Sequence, residues 1–309
     1  MSTIVFFHPA CVEHDPGEYH PERPDRLRAV MAVLKGEGFE ALTWREAPEA
    51  KRKDIERVHG RAYIDQVLES VPKRGHIHLD PDTALSPASG QAALRAAGAA
   101  CAAVDAVVGG EAKNAFCAIR PPGHHAEADQ AMGFCLFNNV AIAALHARAV
   151  HDLRKIAVVD FDVHHGNGTQ HSFERDPDLF YGSSHQWPAY PGTGLTEETG
   201  IARNVANAPL PPNAGSEEFR HGYTATILPA LRRFAPELLI ISAGFDAHER
   251  DPLAQINLVT DDYAWVTREL LAVARDCAQG RVVSCLEGGY DLQALAESAA
   301  VHVRELMRA

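Results

Sequence analysis

The densest cluster of reactive side chains is DFDVHHGNG (Asp160 to Gly168), which closes the apolar run KIAVV. The period of two along a strand puts Asp160, Asp162 and His164 on one side, with Phe161, Val163 and His165 on the other. Two carboxylates and an imidazole facing one spot are costly to bury unless a cation neutralises them, and their mixed oxygen and nitrogen donors suit zinc or another late divalent metal. Asp246, in AGFD, is positioned to add a further carboxylate from a neighbouring strand end. Three protein ligands leave positions open for water and a substrate oxygen, the arrangement of a catalytic metal and not of a closed structural one.

Metal-activated water cleaving an amide needs partners that take the water's proton, polarise the carbonyl and protonate the leaving amine. The tandem His124-His125 in RPPGHH supplies imidazoles for the proton transfers. Tyr290, in EGGY, sits on a Gly-Gly turn that lets its hydroxyl approach an oxyanion, and comparable donors are worth roughly 3 kcal/mol. Asp160 and Asn167 are candidates to orient the two imidazoles through their far nitrogens.

The elements that must position these residues are legible around them. RPPGHH follows AFCAI, DFDVHHGNG ends KIAVV, AGFD follows ELLIIS and EGGY follows RVVSCL, so in a parallel sheet all would meet at the carboxyl-end crevice where such folds bind ligands. The runs Ile4 to Phe7, Ala115 to Ile119, Lys155 to Asp160, Leu179 to Gly182, Leu238 to Ser242 and Arg281 to Leu286 are mostly apolar without alternation, as befits strands covered on both faces. Helical stretches alternate with them: Pro24 to Leu34, Ser89 to Val108, Asn139 to Val150, Glu217 to Phe234, Asp261 to Ala278 and Leu292 to Met307. The predicted fold is α/β, one domain over residues 1–309, with a mostly parallel sheet flanked by helices on both faces. Ser183 to Asn204, aromatic and rich in Gly and Pro, is predicted to be a long functional loop.

Composition narrows the partners. With 46% hydrophobic and 23% charged residues the chain has ample material for a core. Its 29 basic and 41 acidic residues give a net charge of −12, which repels phosphate backbones and argues against nucleic acid, while favouring a cationic substrate. The six cysteines are scattered without CxxC pairs and read as free thiols of a reducing compartment. The start MSTIVFFHPACVEHD has no basic leader, and no segment reaches the roughly 18 uninterrupted apolar residues of a membrane span, so no membrane association and a cytoplasmic location are expected.

Some signals are weak alone. Seventeen histidines make about one adjacent pair expected by chance, so DxDxHH at a strand end carries far more than His124-His125 by itself. Asp246 in isolation also reads as a helix N-cap, Tyr290 as a packed turn residue, His8 and His59 as core or surface histidines, and Cys135 as a buried thiol and not a nucleophile.

HPERPDRL (His20 to Leu27), RPPGHHAEADQAMGFCLFNNVAIAA, VVDFDVHHGNGTQ, PGTG (Pro191 to Gly194), SAGFDAHERDPLA and LEGGYDL together resemble the histone deacetylase and acetylpolyamine amidohydrolase family in its class II-like branch, from about His8 to Leu292. The resemblance implies an arginase-like α/β sheet, with Asp162, His164 and Asp246 as zinc ligands, His124 and His125 as the acid/base pair and Tyr290 as oxyanion donor. It also implies that Gly133, Phe134 and Tyr190 line a narrow tunnel for an extended acyl-amine chain, that Arg26 lies near an inner cavity handling the released acid, and that K+ or Na+ binds near Asp160, Ser183 and the backbone around Asp162 and His164.

Departures from the family pattern shape the substrate expectation. Tyr190 stands where the family often has Phe, and Asn167 where class I members carry Asp, which supports His125 without a charge. Leu253 stands where a polyamine-selective relative carries a carboxylate at the tunnel mouth, which tilts the expectation towards acyl-lysine over acetylpolyamine. The expected activity is zinc-dependent deacylation of an amine such as acyl-lysine. The donor set leaves iron(II) open as the metal, and the sequence leaves a homo-oligomer open. An arginase-type ureohydrolase would need a two-metal cluster, for which the chain offers ligands to one catalytic ion only. A catalytically silent acyl-lysine binder would have no use for the full set of His124, His125 and Tyr290.

Overall fold

The computed structural model describes residues 2–309. Its strands are β1 (Thr3–Phe7), β2 (Thr43–Glu46), β3 (Ile77–Asp80), β4 (Thr83–Leu85), β5 (Asn114–Cys117), β6 (Ile156–Asp160), β7 (Leu179–Gln186), β8 (Val205–Leu210), β9 (Leu238–Ala243) and β10 (Val282–Leu286). The helices are α1 (Ala10–Glu13), α2 (Pro24–Leu34), α3 (Arg52–Ile55), α4 (Arg61–Glu69), α5 (Ser89–Val108), α6 (Asn139–His151), α7 (Asn167–Phe173), α8 (Ser216–Gly222), α9 (Leu228–Phe234), α10 (Thr260–Cys277) and α11 (Leu292–Arg308).

All but β3 and β4 form one eight-stranded sheet in the order β2-β1-β5-β10-β9-β6-β7-β8, with every neighbouring pair parallel. Strands β5, β6, β9 and β10 are buried along their whole length, which explains their unbroken apolar sequences: helices cover both faces. Helices α5 and α6 pack against each other and the sheet, while α2, α11, α10 and α9 pack in series. The four strands that precede the reactive motifs are consecutive in the sheet, β5-β10-β9-β6, so their carboxyl ends form one continuous crevice.

Helix α5 is Ala-rich, with a mean hydropathy of 1.3, and by composition and length could cross a membrane; 67% of that stretch is buried inside this protein against α6 and β5, the setting of a core helix.

Several expectations shift. The predicted strand Leu179 to Gly182 extends to Gln186, and the predicted loop from Ser183 to Asn204 loses its first four residues to it, because the unforeseen β8 pairs Ser183 with Asn207 through Gln186 with Leu210. Pro209 sits in β8, an edge strand, where a missing N–H is tolerated. The predicted helix from Glu217 to Phe234 is interrupted by a π-helical turn at Tyr223–Ile227. Pro229 follows one residue past the turn; it lacks an N–H for the α ladder and its ring would crowd the carbonyl of Ala225, so the widened turn precedes it. Strands β2, β3 and β4 and the short helices carry too little apolar pattern to have been foreseen.

Candidate active site

Strand β6 ends at Asp160, so Asp162 and His164 lie on the turn beyond it and the strand alternation does not reach them. Hydrogen bonds gather them instead. Asp160 Oδ1 accepts from Asp162 N (3.0 Å), and Asp162 Oδ1 from His164 N (2.9 Å). Asp162 Oδ2 accepts from Gly288 N at the end of β10 (2.8 Å), and Asp246 Oδ1 from Val163 N (2.8 Å). Asp246 therefore ties the ends of β6 and β9 together and caps no helix. His164 Nδ1 faces both Asp162 Oδ1 and Asp246 Oδ2 at 3.2 Å, and one donor atom from each of the three residues lies within 4.8 Å of the others.

Charge makes this trio demanding. Burial and the adjacent Asp162 push Asp246 up to about 7; Asp162, despite burial, is held well below the carboxylate range by His124 and His164. Burial works against the charge on His164, but Asp162 and Asp246 push it up to about 10. The protein thus needs a positive charge between two fully buried carboxylates, and two oxygens with one imidazole nitrogen fit a divalent metal of the zinc type. Gly288 allows the approach: a Cβ there would collide with both Asp246 Oδ2 and Asp162 Oδ2.

The tandem imidazoles stand beside the trio, ring centroids 4.0 Å apart. His124 Nδ1 is 2.9 Å from Asp160 Oδ2, which also accepts from the Tyr181 hydroxyl (3.1 Å). His125 Nδ1 is 2.8 Å from Asn167 Oδ1. Burial opposes charge on both rings, yet their environments diverge. Asp162 and Asp160 outweigh burial at His124 and push it up to about 10, whereas burial, His124 and His164 drive His125 well below 6.5. His165, from the second pair, turns away to Thr193 and Gln170.

A pocket of about 200 Å³ opens above these groups, lined by Asp82, His125, Gly133, Phe134, His164, Tyr190, Leu253 and Tyr290. Gly133, Phe134, Tyr190 and Leu253, expected along the substrate's path, are on this wall; Arg26, expected near an inner cavity, does not line it. Arg26 is fully buried behind Tyr290, its guanidinium 4.8 Å from the ring centre, and its donors are taken by Gly289 O, Glu287 O and Glu22. Gly133 and Phe134 both have positive φ, 56° and 68°, and the hairpin between β3 and β4 holds them there: Asp82 Oδ1 accepts from Gly133 N and Thr83 Oγ1 from Phe134 N, each at 3.1 Å. A side chain on Gly133 would be strained and would strike the His125 ring. Gly133→Ala is therefore expected to lower kcat by about 10²-fold by displacing His125, with metal content unchanged, as turnover and elemental analysis together would show.

Other supporting groups escaped the sequence reading. Glu287 accepts from Gly123 N (2.6 Å) and the Ser242 hydroxyl (3.0 Å), locking the RPPGHH loop to β9 and β10; burial pushes it up to about 7. Asp251 accepts from Tyr290 N (2.7 Å). Glu127 accepts from the Asn167 amide and from His171, placing a carboxylate one hydrogen bond behind the neutral partner of His125. Glu287 and Asp251 lie within motifs quoted above, but nothing in the local pattern marks them as braces. His59 and Cys135 prove to be packing residues, His59 bridging Glu127 O and Asn138 N.

Parallel strands converging on a buried group of candidate metal ligands, with paired imidazoles and a tyrosine around one narrow pocket, have the arrangement of an α/β hydrolase. The chain belongs to the histone deacetylase family: the family's histone deacetylase domain matches residues 20–306. Histone deacetylase 14, chloroplastic, of Arabidopsis thaliana is 37% identical, covering 99% of this chain and 77% of that protein. The histone deacetylase-like amidohydrolase of Pseudomonas aeruginosa is 38% identical over 93% of this chain and 81% of its own, and a polyamine deacetylase of Homo sapiens is 37% identical over 99% of this chain and 48% of its own. The crystal structure of the HDA15 HD domain superposes with a TM-score of 0.93 at 35% identity, covering 99% of this chain and 91% of that one. The protein is thus a deacetylase-family amidohydrolase.

Proposed function

We propose that the protein is a zinc-dependent deacylase that removes acetyl or related acyl groups from an amine such as acyl-lysine. The observation that carries this reading is one pocket lined by His125, His164 and Tyr290, with His164 also grouped with the buried carboxylates of Asp162 and Asp246. Zinc held by Asp162, His164 and Asp246 would supply the Lewis acidity that polarises the acyl carbonyl and acidifies water. His125, kept neutral and held by Asn167, takes the proton from the attacking water. The Tyr290 hydroxyl donates to the carbonyl oxygen as it gains charge. The imidazole pair returns a proton to the nitrogen as the C–N bond breaks, releasing acid and amine. Gly133, Phe134 and Tyr190 flank the extended acyl-amine chain, and Leu253 meets it at the mouth.

Asp160 and Ser183 are register neighbours on β6 and β7, where the resemblance expects K+ or Na+. The Asp160 carboxylate already accepts from His124, Tyr181 and Asp162 N, so such an ion would lean on backbone carbonyls nearby. Six free cysteines fit the cytoplasmic location read from the sequence.

Asp82 on the pocket wall favours a second reading, an acetylpolyamine, whose chain keeps a cation near the mouth. Acid release from an acetyl-lysine peptide, longer acyl-lysine peptides and acetylated polyamines decides between them. Greater kcat/KM for acyl-lysine is expected; a preference for polyamines that vanishes in Asp82→Asn would establish the second reading.

Asn167→Asp tests the role of His125. A carboxylate on His125 Nδ1 favours its charged form, so the acid limb of kcat/KM, expected below pH 6.5 in the parent, should rise by about one unit or more. An unmoved limb would assign it to another group.

A further inference from the structure

Away from the active site, Asp105 on α5 and His146 and His151 on α6 bring a carboxylate and two imidazoles together at the protein surface. The Nε2 atoms of both histidines lie 2.7 Å from the same atom, Asp105 Oδ1. One donor from each residue lies within 4.8 Å of the others. Zinc bonds of about 2.0–2.1 Å set tetrahedral donors roughly 3.3 Å apart, so a small outward turn of the Asp105 carboxylate opens the space. That carboxylate is free to turn: Asp105 is 52% exposed, His151 21% and His146 only 6%, so the cluster has an anchored floor and a side open to solvent and water ligands.

The far nitrogen of His146 supplies a second, independent observation. Its Nδ1 is 3.1 Å from Asp54 Oδ1, and Asp54 is itself held by Arg57. A carboxylate behind an imidazole anchors the far nitrogen and orients the ring, leaving Nε2 as the atom that would ligate once a cation displaces its proton, as behind metal-bound histidines generally. Cys101 groups with Asp54 and His146 in a second, fully buried trio. Burial raises its thiol far above the usual range, and Asp54 is occupied by Arg57, so the Nε2 side is the one equipped to take a cation.

We propose that Asp105, His146 and His151 form a second metal site, open to solvent, for a late first-row divalent ion such as zinc, clasping α5 to α6. Two imidazoles and one carboxylate select Zn2+, Cu2+ or Ni2+ over Mg2+ and Ca2+. The site does not depend on the chemistry proposed for the active site. Neither helix face contributes a residue to the pocket, and its loss should leave deacylation unchanged.

Zinc content per chain, measured by elemental analysis after chelator stripping, zinc loading and gel filtration, tests it. The parent should retain two equivalents, and Asp105→Asn and His151→Ala one each, with turnover maintained. Asp105→Asn replaces a half-exposed side chain and guards against a folding defect in the histidine variant. Equal zinc in the parent and both variants would overturn the site and leave an ion-paired clamp between α5 and α6. If instead the active-site reading fails, Asp246→Asn will leave zinc content unchanged while Asp105→Asn still loses one equivalent.

Discussion

Asp246→Asn is expected to reduce acid release to the level of the buffer blank and to bind one zinc fewer than the parent, while the fold survives. The substitution keeps the size of the side chain and an acceptor for Val163 N, and so preserves the tie between β6 and β9. What it removes is one of two buried negative charges. Burial and Asp162 already push Asp246 up to about 7, so the folded chain without a cation gains little from that charge, whereas a dication in the cradle needs it. Turnover and elemental analysis on the same preparation check the expectation. Retained zinc with lost turnover would shift the role of Asp246 from ligand to catalytic group.

Tyr290→Phe is expected to lower kcat by about 10²–10³-fold, the usual cost of an oxyanion donor, with zinc content and KM little changed. The loss can be attributed to the hydroxyl because everything else that holds the ring remains. Arg26 stacks 4.8 Å from its centre, Phe134 meets it edge-on at 6.0 Å, and Asp251 fixes its backbone N–H. Burial, opposed by Arg26, raises the phenol well above 10, so the group stays protonated as a donor across the working pH range. Unimpaired turnover in the variant would show that the carbonyl oxygen is stabilised without Tyr290.

Much of this site was legible because chemistry and position coincide. Each reactive motif ends an unbroken apolar run, and in a parallel sheet that alone sends Asp160, His124, Asp246 and Tyr290 to one edge. The sheet order β5-β10-β9-β6 then makes them neighbours, which sequence separation hides. The details failed where tertiary contacts decide. Asp162 and His164 converge through backbone hydrogen bonds on a turn and not through strand alternation. Edge strands β2 and β8 need only one neighbour and carry polar residues and a proline, so their patterns are faint. Glu127 braces Asn167 from 40 residues away, a relation visible only in space. His146 and His151, five residues apart, stand roughly 140° apart around an ideal helix, so no helical-face pattern pairs them.

Arg26 was singled out by resemblance alone; its partners, Glu22 and the carbonyls of Glu287 and Gly289, and its place behind the Tyr290 ring are set by contacts across the fold that no local pattern carries.

The most direct test of the central claim is acid release from an acetyl-lysine peptide by chelator-stripped protein, before and after zinc is returned. No release from the stripped parent, recovery on adding zinc, and no recovery in Asp246→Asn are expected. Undiminished release from parent protein shown by elemental analysis to be free of metal would contradict metal-dependent deacylation at this site.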